Sequence, residues 1–235
     1  MPRPRREWIV TPHEPIEKLD DNLWAVQGLV PGASFPRRMC IVRRGDGTLL
    51  FFHAVPLEER TLAEVLAWGK PADLVVAHHQ HAMDADAFRR RLGLSVYGPR
   101  EVAERLRERV ELAGTLQDLR PDPAVAVASV PGSKLGEAVV TVRSGGGARA
   151  SLLFADVIQN GDRERLAWPF RMLGFGGGPK VVPVYRMLFV KDRVALKGAL
   201  SGWSRMPGLA RLVPCHGKIV GEGAAAALAA AAATL

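Results

Sequence analysis

His78, His79 and His81 crowd into one short stretch, Val75-Val76-Ala77-His78-His79-Gln80-His81-Ala82-Met83-Asp84, and a further histidine, His216, lies in Val213-Pro214-Cys215-His216-Gly217. Leu74 to Ala77 reads as a buried strand, after which the chain turns polar. On an extended segment, residues two apart point the same way. His79 and His81 are therefore expected to aim two imidazoles at one point, with His78 on the opposite side. Imidazole nitrogen is a favoured ligand for zinc, and also for iron, copper and nickel. The competing reading is a solvated polar loop after a strand. A His-x-His placed directly after an apolar strand, with Asp84 close behind, points instead to a metal site.

Other candidates carry less. Cys215 adjoins His216, but neighbours on an extended segment point apart and cysteine is commonly buried. A thiol nucleophile is therefore disfavoured. Gly174-Phe175-Gly176-Gly177-Gly178-Pro179-Lys180 lacks the Gly-Lys-Ser/Thr ending and preceding strand of a phosphate loop, and reads better as a flexible lid. Trp168, Phe170, Leu173 and Phe175 could line such a lid, but core packing is the preferred reading.

These side chains need a scaffold. The chain has 235 residues, of which 48% are hydrophobic, enough for one domain with a full core. The expected domain spans 1–235, with 1–20 as an N-terminal extension and 222–235 as a terminal helix. Two cysteines, Cys40 and Cys215, form no Cys-x-x-Cys pair, so neither a zinc finger nor a disulfide framework is expected. That usage fits a reduced, cytoplasmic protein. The basic start, Met1 to Arg6, is not followed by an apolar run, so no leader is expected, and the alanine-rich tail is too short to span a bilayer. The formal charge of +8 fits an anionic small-molecule substrate or nucleic acid. The arginines are spread along predicted helices, and aromatics make up only 6%, which disfavours nucleic acid. Nothing in the pattern specifies an oligomer.

Strands are predicted at Asn22 to Gln27, Met39 to Arg43 and Thr48 to His53, with a hairpin turn at Gly45-Asp46-Gly47. A helix is expected over Pro56 to Trp68, with Thr61 as N-cap. Then come a strand (Leu74 to Ala77), a helix (Asp84 to Leu92), a strand (Leu94 to Tyr97) and a helix (Pro99 to Leu112). The second half predicts strands at Ala124 to Val130, Ala138 to Val142 and Ala150 to Phe154, and a helix at Asp162 to Phe170. A broken helix at Val184 to Leu200, a strand at Arg211 to Val213 and a helix at Glu222 to Leu235 complete it. Strands followed by helices, twice over, indicate an α/β class.

The order of elements and these polar positions resemble the metallo-β-lactamase superfamily. Its His-x-His-x-Asp-His motif matches His79-Gln80-His81-Ala82-Met83-Asp84, with Met83 at the motif Asp and Asp84 at the last His. The family's Pro-Gly-His matches Val130-Pro131-Gly132-Ser133, with Ser133 at the His. Its bridging aspartate matches Asp156 in Leu152-Leu153-Phe154-Ala155-Asp156, and its last His matches His216. The resemblance implies a four-layer αβ/βα sandwich with a metal site at one sheet edge. The ligands it implies are His79, His81, Asp156 and His216, with Asp84 a further candidate and His53 near the site. Met83 and Ser133 leave too few ligands for two metals, but four N/O ligands suffice for one. The implied activity is hydrolysis by a metal-activated water, with Asp156 or Asp84 handling its proton. Zinc is the default ion, with iron or manganese as options. The substrate classes are an ester, thioester, lactone or phosphoester. The alternative is a degenerate member of the fold that binds a small molecule or partner, with or without metal.

Overall fold

The computed structural model describes residues 4–30, 36–162 and 168–235. Among them, eleven strands form two sheets. The first sheet runs in chain order: β1 (Glu17–Asp20), β2 (Leu23–Leu29), β3 (Pro36–Arg43), β4 (Thr48–Phe52), β5 (Lys70–Val75), β6 (Ser95–Gly98) and β7 (Gly114–Thr115). The second contains β8 (Val125–Ser129), β9 (Ala138–Ser144), β10 (Arg149–Phe154) and β11 (Leu209–Pro214), in the order β11-β10-β9-β8. The helices are α1 (Glu59–Trp68), α2 (Ala85–Leu92), α3 (Ala103–Arg107), α4 (Trp168–Met172), α5 (Pro183–Phe189), α6 (Arg193–Ser204) and α7 (Ala224–Ala233).

Period-two alternation builds the layers. On β3 and β4, Met39, Ile41, Leu49 and Phe51 face α1 and α2, where Leu62, Val65 and Phe88 meet them. The intervening Cys40, Val42, Leu50 and Phe52 face the other sheet and pack with Val140, Val142, Leu153 and Val213. The far side of the second sheet, through Val139, Leu152 and Phe154, is covered by Leu196, Leu200 and Leu228 of α6 and α7. This is the four-layer αβ/βα sandwich that the family resemblance implies. The 1–20 segment is more than an appendage: β1 pairs antiparallel with β2, and Trp8 stacks on Phe88 at 4.5 Å between ring centroids.

Several local expectations are corrected. Helix α1 starts after Glu58, and Thr61 lies inside it rather than capping it. The helix predicted to Leu112 ends at Arg107. The break expected within Val184 to Leu200 does occur, where Val190 bridges to Ser133 and separates α5 from α6. Of the Asp162 to Phe170 helix, 163–167 lie outside the described residues, and α4 begins at Trp168. Trp168 and Leu173 are 71% and 48% exposed, so they do not pack in the core, whereas Phe175 packs against the second-sheet cluster.

What matters for chemistry is where parallel strands end. β4 pairs parallel with β5 (Phe52 opposite Val75), and β10 with β11 (Phe154 opposite Pro214). The chain leaves these four strands into His53, His78, Asp156 and Cys215-His216. The two sheets are joined at the same place by a hydrogen bond from Ala138 N–H to the Ala77 carbonyl, 3.0 Å.

Candidate metal centre

Asp156 is the hub. Three imidazoles converge on its carboxylate: His78 Nε2 at 2.9 Å and His81 Nε2 at 3.3 Å from Oδ2, and His216 Nε2 at 3.2 Å from Oδ1. The structure thus brings His81, Asp156 and His216 together as the sequence reading expects. His79 is not among them; His78 takes its place. The reason is local. β5 ends at Val75, and His79 to His81 form a single 3-10 turn. At three residues per turn, positions three apart eclipse, so His78 and His81 share a side. His79 turns away, toward the charges of Arg105, Arg109 and Glu108.

The hydrogen bonds assign a role to each ring. His216 Nδ1 lies 2.7 Å from the Pro36 carbonyl. A carbonyl only accepts, so Nδ1 carries a proton and the ring is fixed with Nε2 facing Asp156. His78 is the reverse: its Nδ1 accepts the Gln80 N–H at 3.3 Å. Its one proton therefore sits on Nε2 and is donated to Asp156. Burial holds His78 neutral, with a pKa pulled down to about 4. Burial also opposes charge on His81, but Asp156 and the Cys215 sulfur outweigh it and hold the pKa up at about 10. His216 is likewise raised well above the ordinary imidazole value, against burial, by Cys215 and Asp156. Asp156, though buried, is held well below the usual carboxylate range by the three imidazoles.

Glu137 holds this hub in place. It is fully buried at the start of the β9 hairpin side of the site. Its Oε1 accepts three successive backbone N–H groups, from Ala155 (3.2 Å), Asp156 (2.8 Å) and Val157 (3.0 Å). Its Oε2 accepts the Tyr185 hydroxyl at 3.0 Å, and that hydroxyl lies 2.9 Å from Ser133 Oγ. Burial and the nearby Asp156 push the Glu137 pKa up to about 7. Ser133, at the position of the family's missing histidine, therefore bonds to Tyr185 and does not line the cavity. Asp84 is also displaced from its expected role. Its buried carboxylate accepts from Arg37 Nη1 at 2.6 Å, so it anchors a guanidinium instead of reaching the histidines.

Beside the hub lies a cavity of ≈ 220 Å³, lined by Arg37, Arg38, His53, Met83, Cys215 and His216, with His81 and Asp156 at its wall. Sequence reasoning discounted Cys215 because neighbours on a strand point apart. The strand ends at Pro214, so that rule does not reach Cys215 and His216, and both line the cavity. Glu137 and Tyr185 were also missed: a single carboxylate and a single phenol carry no spacing signal.

No family model matches the chain, and no curated protein matches it in sequence. Solved structures do. The metallo-β-lactamase DIM-1, in a crystal exposed to ceftazidime, superposes with a TM-score of 0.63 at 18% identity, covering 96% of this chain and 99% of that one. A metallo-β-lactamase from Hirschia baltica gives 0.59 at 16% identity, with 93% and 98% covered. FIM-1 from Pseudomonas aeruginosa, in a mono-zinc form, gives 0.59 at 13% identity, with 98% and 97% covered. The chain has the metallo-β-lactamase fold, in a divergent form.

Proposed function

We propose that this chain is a metal-dependent hydrolase that uses one divalent ion, held by His81, Asp156 and His216. The observation that carries the proposal is the convergence of two imidazole Nε2 atoms on one carboxylate at a cavity wall. The donor set suits zinc by chemistry, and two histidines with one carboxylate also suit iron. Three protein ligands with an open position are the pattern of a catalytic rather than a structural site. His216 supports the fit, because its Nδ1–H is committed to Pro36 and loss of the Nε2 proton gives that nitrogen a lone pair to ligate with. When bound, the ion would lower the pKa of a coordinated water toward ~7 and polarise the bond under attack.

The chain's own residues supply the rest. His78, as a neutral Nε2–H donor, orients Asp156 and spares one carboxylate oxygen for the ion. Glu137 fixes the Asp156 loop from behind. Arg37, paired with Asp84, and Arg38, whose charge is unpaired among the described residues, place two buried guanidinium groups in the cavity wall, with Arg37 Nη2 and Arg38 Nε lacking protein partners. That favours a substrate with a carboxylate or phosphate near the scissile ester, thioester, lactone or phosphoester bond. Ceftazidime, to which the DIM-1 crystal was exposed, belongs in the same panel of substrates. None of the described helices is long and apolar enough to cross a membrane.

The test is turnover across such a panel with protein loaded with zinc, iron or manganese, beside elemental analysis of protein purified without chelator. Metal-dependent hydrolysis that Asp156→Asn abolishes supports the proposal. Silence with all three metals on folded protein overturns it in favour of a small-molecule binding module, a reading to which Met83 and the diverted Ser133 already lend weight.

A further inference from the structure

His53 is the most unusual residue of the cavity. Among the described residues it is the one non-glycine with positive φ, at 65°. Such backbone is strained for a side chain with a Cβ and persists where the surroundings enforce it, most often at functional sites. The ring is buried, and neither nitrogen makes a well-formed hydrogen bond, the nearby Cys215 sulfur being a weak partner. An unsatisfied buried polar group costs about 1–3 kcal/mol, so a histidine here is a poor choice for packing alone. Its ring lies 4.5 Å from that of His81, tilted by 40°, and both it and Cys215 line the cavity.

We propose that His53, His81 Nδ1 and Cys215 form a second, sulfur-containing metal site, which shares His81 with the Asp156 centre. Their ligand atoms all lie within 4.8 Å of one another. Cys215 Sγ is 3.7 Å from His81 Nδ1. A nitrogen at ~2.1 Å and a thiolate at ~2.3 Å from one tetrahedral ion stand ~3.6 Å apart, so this pair is already at ligating separation. Two imidazoles and a thiolate select zinc, cobalt or copper(I) over magnesium or calcium.

The two centres use opposite edges of one ring. His81 Nε2 faces Asp156 and Nδ1 faces Cys215. With both occupied, His81 bridges as imidazolate. Its two ring protons, and any proton on the Cys215 sulfur, are released to solvent. The motif positions Met83 and Ser133 therefore do not set the metal count, because His53 and Cys215 lie outside the motif. The inference rests on the first centre only through the shared His81.

Cobalt(II) titration of the whole chain separates the two centres, because a thiolate ligand adds a sulfur-to-cobalt charge-transfer band in the near ultraviolet. Wild type should bind two equivalents and show the band. Cys215→Ser should lose the band and bind one equivalent, and His53→Ala should weaken the band-forming step at least tenfold. Cys40→Ser should change nothing. Asp156→Asn should keep the band while losing the other equivalent. One equivalent without a sulfur band, in wild type with native circular dichroism, overturns this inference and leaves the first centre standing. No binding at all removes both. A band that survives in Cys215→Ser, or one unaffected by His53→Ala, also overturns it.

Discussion

Removing the Glu137 carboxylate tests how the site is held. In Glu137→Ala, three buried backbone N–H groups, at Ala155, Asp156 and Val157, lose their shared acceptor, and Tyr185 loses one partner. Each orphaned buried donor costs about 1–3 kcal/mol. Taking the low end for the three amides alone gives a loss of at least ~3 kcal/mol. Glu137→Gln keeps a carbonyl oxygen for the amides and presents its NH₂ to the Tyr185 oxygen, which can still donate to Ser133. It loses only the charge assistance, so a loss of about 1 kcal/mol is expected. Urea unfolding at fixed pH measures both. The alanine variant should also bind zinc more weakly, because Asp156 is no longer fixed. An alanine variant within 1 kcal/mol of wild type, or a glutamine variant as damaged as alanine, would refute the reasoning.

Asp84→Ala should destabilise by about 3–5 kcal/mol, because it strands the buried Arg37 guanidinium, while Asp84→Asn should retain zinc binding; calorimetry decides both. Asp20 is held below the usual carboxylate range by Arg149, against burial, and by Arg211. Its depressed folded pKa means its stabilisation is fully present above ~4 and is lost as pH falls through the folded value. Asp20→Asn should flatten the acid limb of a stability–pH curve measured in urea. Gly217 has φ 107°, and a Cβ there would lie 2.1 Å from the Asn160 carbonyl oxygen. Gly217→Ala should therefore lower stability by more than ~1 kcal/mol, read from the urea midpoint.

The sandwich was legible because strands followed by helices recur in both halves and the polar positions keep the family's order; the strands are continuous apolar runs, such as Met39 to Val42, whose two faces serve different cores. The parallel pairing that gathers His53, His78, Asp156 and Cys215 at one edge was not read from the sequence. What failed was the step just beyond a strand. The two-residue spacing that selected His79 holds only while the chain is extended, and β5 stops at Val75. The same early ending of β11 brought Cys215 into the cavity beside His216. Glu137, Tyr185 and the Arg37–Asp84 pair were invisible because their roles depend on partners 18 to 52 positions away, with no local pattern to announce them.

Thermal unfolding of chelator-stripped protein with and without zinc tests the central claim most directly. At a free zinc concentration a hundredfold above Kd, binding to the native state adds about 2.7 kcal/mol. In a Cys215→Ser background, which leaves only the Asp156 centre, the protein should show the corresponding rise in Tm, His79→Ala should keep it, and His216→Ala and Asp156→Ala should lose it. A Cys215→Ser protein unmoved by zinc, or a shift that survives in Asp156→Ala but disappears in His79→Ala, would contradict the centre described here.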